Sequence, residues 1–372
     1  MKIGITVDLK SGLFSNGVNQ NAIYIANVMK KIGNETYLIH LKDDELEDVK
    51  GIKTVKLQDS FNIKFDLLIQ VGFAMHQWIM DKYISKNNNA KLVAYECGNK
   101  LIMDMESMIF KPSDKFIVGD RAIPDQIWSV PQHESTSLDY FSFINKQEKI
   151  SIIPFIWDPM LIEDLIEDTG KGTYTKRNIE RIGVFEPNVS VIKNILLPIV
   201  SLEKYYADNK DLERVVLFSA DMLVKNNTFI DLTHMMALAK DRKLHVNPRD
   251  TIVNSLNSLV DIVFSWQWEN NLNYLWIDAA WMGWPVVHNG SLCQDIGYYY
   301  EGFNVSESVD QLKKAIESHN NDDEYIDRNR KIIKRYTHEN PKLLEQYAKL
   351  VDDVINDRFT KYTYSWKTNS IA

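Results

Sequence analysis

The chain has 372 residues and a formal net charge of −8. At roughly 100–200 residues per domain, that length predicts two or three domains. With 45% hydrophobic and 25% charged residues, and only 15 Gly and 10 Pro, the composition excludes intrinsic disorder, a collagen-like repeat and a disulfide scaffold; the acidic balance excludes a globally basic nucleic-acid coat but leaves a local basic cleft open.

In chain order, Ile3–Val7 is a β-branched run that ends at Asp8, as a buried parallel strand would. A turn-rich loop follows, Ser11-Gly12-Leu13-Phe14-Ser15-Asn16-Gly17-Val18. Ala22, Ile23, Ile25, Ala26 and Met29 then recur at helical spacing until Gly33, and Thr36–His40 reads as the next strand. This β-loop-α-β unit is the opening of a doubly wound domain. Further strands are expected at Asp66–Val71, Lys91–Tyr95, Phe116–Val118 and Ser151–Phe155, with a helix at Ala74–Ser85. The first domain is placed at 1–155 and a polar linker, with Gly170 and Gly172 and room for a short helix at its start, at 156–180.

A second βα series occupies 181–340. Arg181–Phe185, Arg214–Phe218, His245–Asn247, Asp261–Ser265 and Val286–His288 are its expected strands. Helices are expected at Val191–Tyr206, bent or restarted at Pro198, at Asn271–Met282, at Val309–Ser318 and at Asp327–Tyr336. Residues 341–372 form a last helix, Pro341–Asp357, with an apolar stripe, and a tail returning to the first domain. The fold class is therefore α/β, with two Rossmann-like domains whose strands end in polar loops. Ligands of such sheets sit outside the carboxyl ends of the strands, so the cleft between two facing sheets is the expected site.

The segment from Trp266 to Gly290 reads as strand, polar loop, helix, Gly-Trp-Pro stop and strand. It places Glu269, Asn270 and Asn271 at a helix N-terminus, where free N–H groups and the helix dipole attract phosphate or a hydroxyl-rich group. Asp278 is either an ordinary helix acid or a carboxylate for the two hydroxyls of a ribose. Asp278-Ala279-Ala280-Trp281-Met282-Gly283-Trp284-Pro285-Val286 resembles the second half of the nucleotide-sugar signature of GT-B glycosyltransferases, Glu-x7-Glu-Ala-x-x-x-Gly-x-Pro-Val. Glu269 stands one residue too early for the first acid. Either the loop holds an insertion or Asn270 takes that place. The glycine-rich N-terminal loop with Gly17 resembles the opening of the same superfamily, where a backbone must come close to donor or acceptor. Ser15–Asn21 and Gly183–Ser190 are similar to a little-characterised GT-B-like family of bacteria and their phages.

The resemblance implies a GT-B architecture and transfer of a sugar from a nucleoside-diphosphate sugar, a UDP-sugar being favoured, to an acceptor hydroxyl. It implies that the loop Glu186-Pro187-Asn188-Val189-Ser190, with a nearby base, meets the diphosphate. Negative charge builds there as the glycosidic bond breaks, and Lys193 is the candidate cation. Lys225 and Arg249 are rivals. The donor-binding set is thus Gly17, Asn188, Ser190, Lys225, Arg249, Asn270, Asn271 and Asp278, with Lys193, Glu269 and Glu96 as catalytic candidates. Glu96, in Glu96-Cys97-Gly98-Asn99, is the foremost candidate base among Asp8, Glu96, Asp120 and His133; it is equally a turn-capping acid. The absence of an Asp-x-Asp triplet or of His/Cys ligand spacing fits a reaction that requires neither metal nor cofactor.

The lead acceptor is 5-hydroxymethylcytosine in phage double-stranded DNA, suggested by the resembling family's occurrence in phages, the Lys/Asn/Ile-rich usage of an AT-rich coding sequence and the basic aromatic tail; the basic clusters are either DNA contacts or ordinary solvated faces. Those clusters are Arg328, Arg330, Lys331, Lys334 and Arg335 on one helix; Lys171, Lys176, Arg177 and Arg181 in the linker; and Lys361, Tyr362, Tyr364, Trp366 and Lys367 in the tail. The alternatives are a surface polysaccharide or lipid-linked glycan, or a non-catalytic nucleotide-sugar-binding protein. Trp266, Trp268, Trp276, Trp281 and Trp284 fall in or beside the donor segment, so some are expected to line the site. Two distant cysteines, Cys97 and Cys293, suit a reducing compartment. The N-terminal apolar run is too short for a signal-peptide core, and no stretch nears the ~20 apolar residues that span a bilayer. A cytoplasmic location is expected, and the oligomeric state is left open.

Overall fold

The structure, a computed structural model, describes residues 1–9, 17–86, 89–110 and 120–371. The expected Ser11–Asn16 loop, with Gly12, and the expected Phe116–Val118 strand lie outside the described residues. The chain divides into two units, one made of 1–158 and 335–372 and the other of 159–334.

The first unit is built on seven strands: β1 (Lys2–Thr6), β2 (Glu35–His40), β3 (Lys53–Lys56), β4 (Leu67–Gln70), β5 (Lys91–Glu96), β6 (Gln126–Ser129) and β7 (Ile150–Ile152). Their order is β3-β2-β1-β4-β5-β6-β7, with every pairing parallel. The chain runs outward from β1 to β3, then resumes on the other side at β4. The switch point therefore lies between β1 and β4. There the Val71 N–H bonds Thr6 Oγ1 at 2.8 Å and the Gly72 N–H bonds the Thr6 carbonyl at 2.9 Å.

The second unit holds β8 (Arg181–Val184), β9 (Arg214–Phe218), β10 (Leu244–Asn247), β11 (Ile262–Phe264), β12 (Val286–His288) and β13 (Tyr298–Tyr299). Its order, β10-β9-β8-β11-β12-β13, repeats the same doubly wound logic, again all parallel. The strands are short, and all but the edge strand β10 are largely buried: Ile182, Val184, Val215, Leu217, Ile262, Phe264 and Val287 are shielded from solvent in one core with Leu202, Leu212 and Leu312. Burying such side chains contributes about 1.5–3 kcal/mol each.

Four expectations are corrected. The helix placed at Val191–Tyr206 begins only at Leu196 and runs to Asp208, because Asn188 holds the preceding loop with its carbonyl oxygen on the Ile195 N–H at 3.0 Å. Pro198 falls in the first turn, where its missing N–H costs nothing. The helix placed at Asn271–Met282 is Tyr274–Trp281, capped by Asn273, whose Oδ1 accepts from the Leu275 N–H at 2.9 Å. The stretch 156–180 is no free linker. The short helix allowed for at its start is there, Met160–Thr169, and beyond it Tyr174 packs edge-on against Trp284 and His319 in the second unit. Finally, the basic cluster is not on one helix, since the Tyr325–Ile333 helix ends before Lys334 and Arg335.

The chain returns to the first unit at Arg335. The Trp157 N–H bonds the Tyr336 carbonyl at 3.0 Å, and Asp158 pairs with His338. The Pro341–Ile355 helix then docks through Tyr347, whose hydroxyl reaches the Pro154 carbonyl at 2.8 Å. Among the described residues no helix is long and apolar enough to cross a membrane.

A Cβ added at Gly72 would lie 2.4 Å from the Asp8 nitrogen and 2.5 Å from the Val7 Cα. These are backbone atoms that cannot rotate away. Gly72→Ala is expected to destabilise the first unit by about 2 kcal/mol or more, read as a lowered urea midpoint with unchanged slope.

Candidate functional site

The topological switch point of the second unit lies between β8 and β11, which pair directly through Gly183 and Val263. The loops that leave these two strands at their carboxyl ends are tied together by Glu186. Its side chain is completely buried. It accepts hydrogen bonds from the Ser265 hydroxyl and from Gln267 Nε2, the latter at 3.1 Å. Burial pushes its pKa from the ordinary 4.5 up to about 7, against the opposing pull of Ser265, Lys193 and Gln267.

The network extends from Gln267. Its backbone N–H bonds Asn289 Oδ1 at 2.9 Å, and its carbonyl accepts Asn289 Nδ2 at 2.7 Å, which joins the β11 loop to the end of β12. Its side-chain oxygen accepts from Asn270 Nδ2 and from Asn273 Nδ2, the latter at 2.7 Å. Asn273 then caps the helix that carries Asp278, which is buried in its second turn. Ser265 also accepts from the Trp276 indole N–H at 2.8 Å. Trp276 stacks on His288 at 4.8 Å. Burial lowers the His288 pKa to about 4, so the ring is neutral. Nδ1 receives the Gly290 N–H at 3.0 Å, which leaves Nε2 to donate to the Ile296 carbonyl at 2.7 Å.

Across the switch point, the β8 loop is folded around Asn188, which adopts a left-handed φ of 56°. Its Nδ2 bonds the carbonyls of Glu186, at 2.8 Å, and Ser219, at 3.2 Å. Ser190 and Lys193 form a bridge that tightens the loop. Both Asn188 and Ser190 thus shape the turn that presents Lys193. Lys193 is half-buried. Desolvation lowers its pKa, the Glu186 charge raises it and the Arg249 charge lowers it.

The structure therefore gathers Glu186, Asn188, Ser190, Lys193, Asn270 and Asn273 at one switch point, with Arg249 near enough to act on Lys193. Lys225 is exposed at the end of a short turn, Asp221–Lys225, after β9. Glu269 and Asn270 do not sit on the helix N-terminus. They precede its cap in the loop, where Glu269 has a φ of 49°. Asn271 serves through its carbonyl, which accepts the Leu292 N–H at 3.3 Å.

In the first unit, Glu96 ends β5. It accepts from Asn145 Nδ2 at 3.0 Å and has the Arg121 guanidinium 4.0 Å away. Gly17 opens the Gly17–Lys31 helix, and its carbonyl receives Asn21 Nδ2 at 2.7 Å. Asn21 in turn accepts the hydroxyl of Tyr95, the residue before Glu96, at 2.7 Å.

The five tryptophans of the donor segment divide between core and surface. Trp266, Trp276, Trp281 and Trp284 are buried in the second unit, and only Trp268, 40% exposed, faces solvent. The indole N–H groups of Trp266, Trp276 and Trp284 bond interior partners, Gly302, Ser265 and Gly172.

The sequence placed Glu186 in the diphosphate loop without a role of its own, and it gave no role to Gln267 or Asn289. The signal for Glu186 was present, an acid directly after a buried strand and before Pro187. Gln267 and Asn289 had none, because their pairing spans 22 residues. Among the described residues, no three His, Cys, Asp or Glu side chains are placed to share a metal ion.

The fold is that of GT-B glycosyltransferases. The chain superposes on a glycosyltransferase from Rickettsia africae ESF-5 with a TM-score of 0.56 at 12% identity, covering 96% of this chain and 99% of that one. It superposes on an alpha-glucosyltransferase in complex with UDP and a 13-mer DNA containing an HMU base with a TM-score of 0.56 at 14% identity, covering 96% and 99%. HepE from Anabaena, in complex with UDP-glucose, gives 0.54 at 12% identity, covering 95% and 100%. No curated protein matches the chain. The chain belongs to the family described as "Protein of unknown function (DUF2827)", whose model matches residues 3–351.

Between pH 4.5 and 7 native Glu186 keeps a proton that the unfolded chain has released, so stability falls as pH rises through this window. Glu186→Gln is expected to remove that slope, on the order of 1 kcal/mol per pH unit, in urea midpoints measured from pH 4.5 to 7.5.

Proposed function

We propose that the protein is a glycosyltransferase that takes a sugar from a UDP-sugar, bound by the second unit, and transfers it to an acceptor hydroxyl without a metal ion. The observation that supports this most is the polar cluster at the β8/β11 switch point. It combines one desolvated cation, Lys193, with loop amides and a buried acid, Asp278, spaced as in the donor signature. Lys193 meets the diphosphate and offsets the charge that builds on it as the bond to the sugar breaks. Its position on a loop pinned by Asn188 means that it is held before the donor arrives. Asp278 receives the ribose hydroxyls. Asn270, eight residues before Asp278, takes the place of the first acid and contacts the sugar. Glu96, positioned by Asn145 and Arg121, is the candidate base of the first unit.

Two acceptors are each supported by an observation. The likeness to a glucosyltransferase in complex with DNA containing an HMU base supports a modified base in DNA, with 5-hydroxymethylcytosine in phage DNA as the lead. The predicted basic clusters lend it little: Arg328 is paired with Asp322, Lys176 with Asp323 and Arg181 with Asp261, while Arg335 lies over Tyr336 and Trp366. The second reading, a lipid-linked glycan, is supported by the Lys100–Phe110 helix that follows Glu96. Met103, Met105, Met108, Ile109 and Phe110 on it are all exposed, and such a surface suits an apolar carrier.

Purified protein incubated with UDP-sugars and either hydroxymethylated DNA or a polyprenyl-phosphate-linked sugar is expected to add one sugar mass to one of the two acceptors. Absence of both transfer and donor hydrolysis with every UDP-sugar counts against the enzyme. Lys193→Ala is expected to lower kcat by about 100-fold with little change in donor KM, and Asp278→Ala to raise donor KM instead; equal loss in both parameters for Lys193→Ala would remove its leaving-group role.

A further inference from the structure

The polarity of the amide chain at the switch point has one source. Glu186 accepts a hydrogen bond at each carboxyl oxygen, from the Ser265 hydroxyl at Oε1 and from Gln267 at Oε2. Gln267 must therefore turn its Nε2 toward Glu186, as the 3.1 Å contact shows. Its carbonyl oxygen then faces Asn270 and Asn273, and both asparagines donate to it. Asn273 spends its own carbonyl on the helix cap, at 2.9 Å from the Leu275 nitrogen. The carbonyl of Asn270 remains, and among the described residues no hydrogen bond reaches it. Reversing Gln267 would reverse Asn270 too and turn an NH2 group outward in place of the carbonyl. The interior placement of Glu186 and Gln267 matters here, because water cannot substitute for either partner.

We infer that Glu186 is a positioning residue: through Gln267 it fixes Asn270 as a hydrogen-bond acceptor for a hydroxyl of the donor sugar. This rests on the reading of the second unit as a UDP-sugar site and goes beyond it by assigning the sugar contact its orientation. Glu186 itself touches no reacting atom. An amide held this way does the work of a carboxylate acceptor without adding a further acidic group beside Lys193, Glu186 and the diphosphate. The ligand class it selects is one with a hydroxyl donor at that position, and a sugar bearing only an acceptor there is rejected by an unpaired carbonyl.

The test is calorimetric binding of UDP and of UDP-glucose, UDP-galactose and UDP-N-acetylglucosamine to the full chain, with the ratio of UDP to UDP-sugar dissociation constants as the readout. Glu186→Gln, which can donate as well as accept, is expected to leave UDP affinity within about threefold and to lower that ratio about tenfold for the preferred sugar. Adding Asn270→Asp to Glu186→Gln is expected to restore the ratio, since a carboxylate accepts in either orientation. If Glu186→Gln does not fold, Gln267→Met keeps the volume, breaks the relay and is expected to show the same selective loss. An unchanged ratio, an equal loss of UDP and UDP-sugar, or failure of the double variant to recover overturns the inference while leaving the donor site in place. A wild-type chain that binds none of these nucleotides overturns the donor reading and this one together.

Discussion

A carboxylate with no access to water needs partners on every side, and Glu186 takes them from two different strands. That requirement organises the second unit. Because Ser265 and Gln267 must face Glu186, the loop after β11 lies against the loop after β8, and because Gln267 is committed, Asn270, Asn273 and Asn289 follow. Even the start of the helix bearing Asp278 depends on it through the Asn273 cap. Lys193 completes the arrangement from the other side. Burial penalises its charge and the acid nearby favours it, so the cation is held in a medium where it acts more strongly than on an open surface.

Each half of the chain states the same architecture in different chemistry. The first unit closes its switch point with Thr6 and the backbone of Val71 and Gly72, a neutral and close-packed junction. The second fills the equivalent place with a carboxylate, amides and a lysine. The fold supplies both crevices, and only the side chains decide which one can receive a charged ligand.

Much of this was legible in the sequence. The βα alternation and β-branched runs located β1, β2, β4, β5, β7, β8, β9, β10, β11 and β12, because most buried parallel strands are apolar throughout. β6 was not, since Gln126-Ile127-Trp128-Ser129 carries no alternation and no β-branched run. The donor segment was found through the spacing of Asp278, Gly283 and Pro285. The polar relay around it was invisible, as hydrogen bonds between residues 22 and 81 positions apart leave no local pattern. Which of the five tryptophans would turn inward was likewise not legible, because ring count says nothing about the side of the chain a ring takes; four are buried and Trp268 is exposed. Helix starts slipped where a side chain, Asn188 or Asn273, captured the first free N–H group and so chose the entry point.

The discontinuity of the first unit has a consequence for the order of assembly. Residues 159–334 are contiguous, so the second unit is complete as soon as they have been synthesised. The first unit is not, because Tyr347 on Pro154 and the Trp157–Tyr336 bond come from segments nearly 200 residues apart. Its sheet must wait, with the groove that the Pro341–Ile355 helix will fill still open, until an entire neighbouring domain has emerged from the ribosome. The exposed interval falls on the half of the molecule whose strands were made first, and that half, despite its local βα repeats, is the last to close.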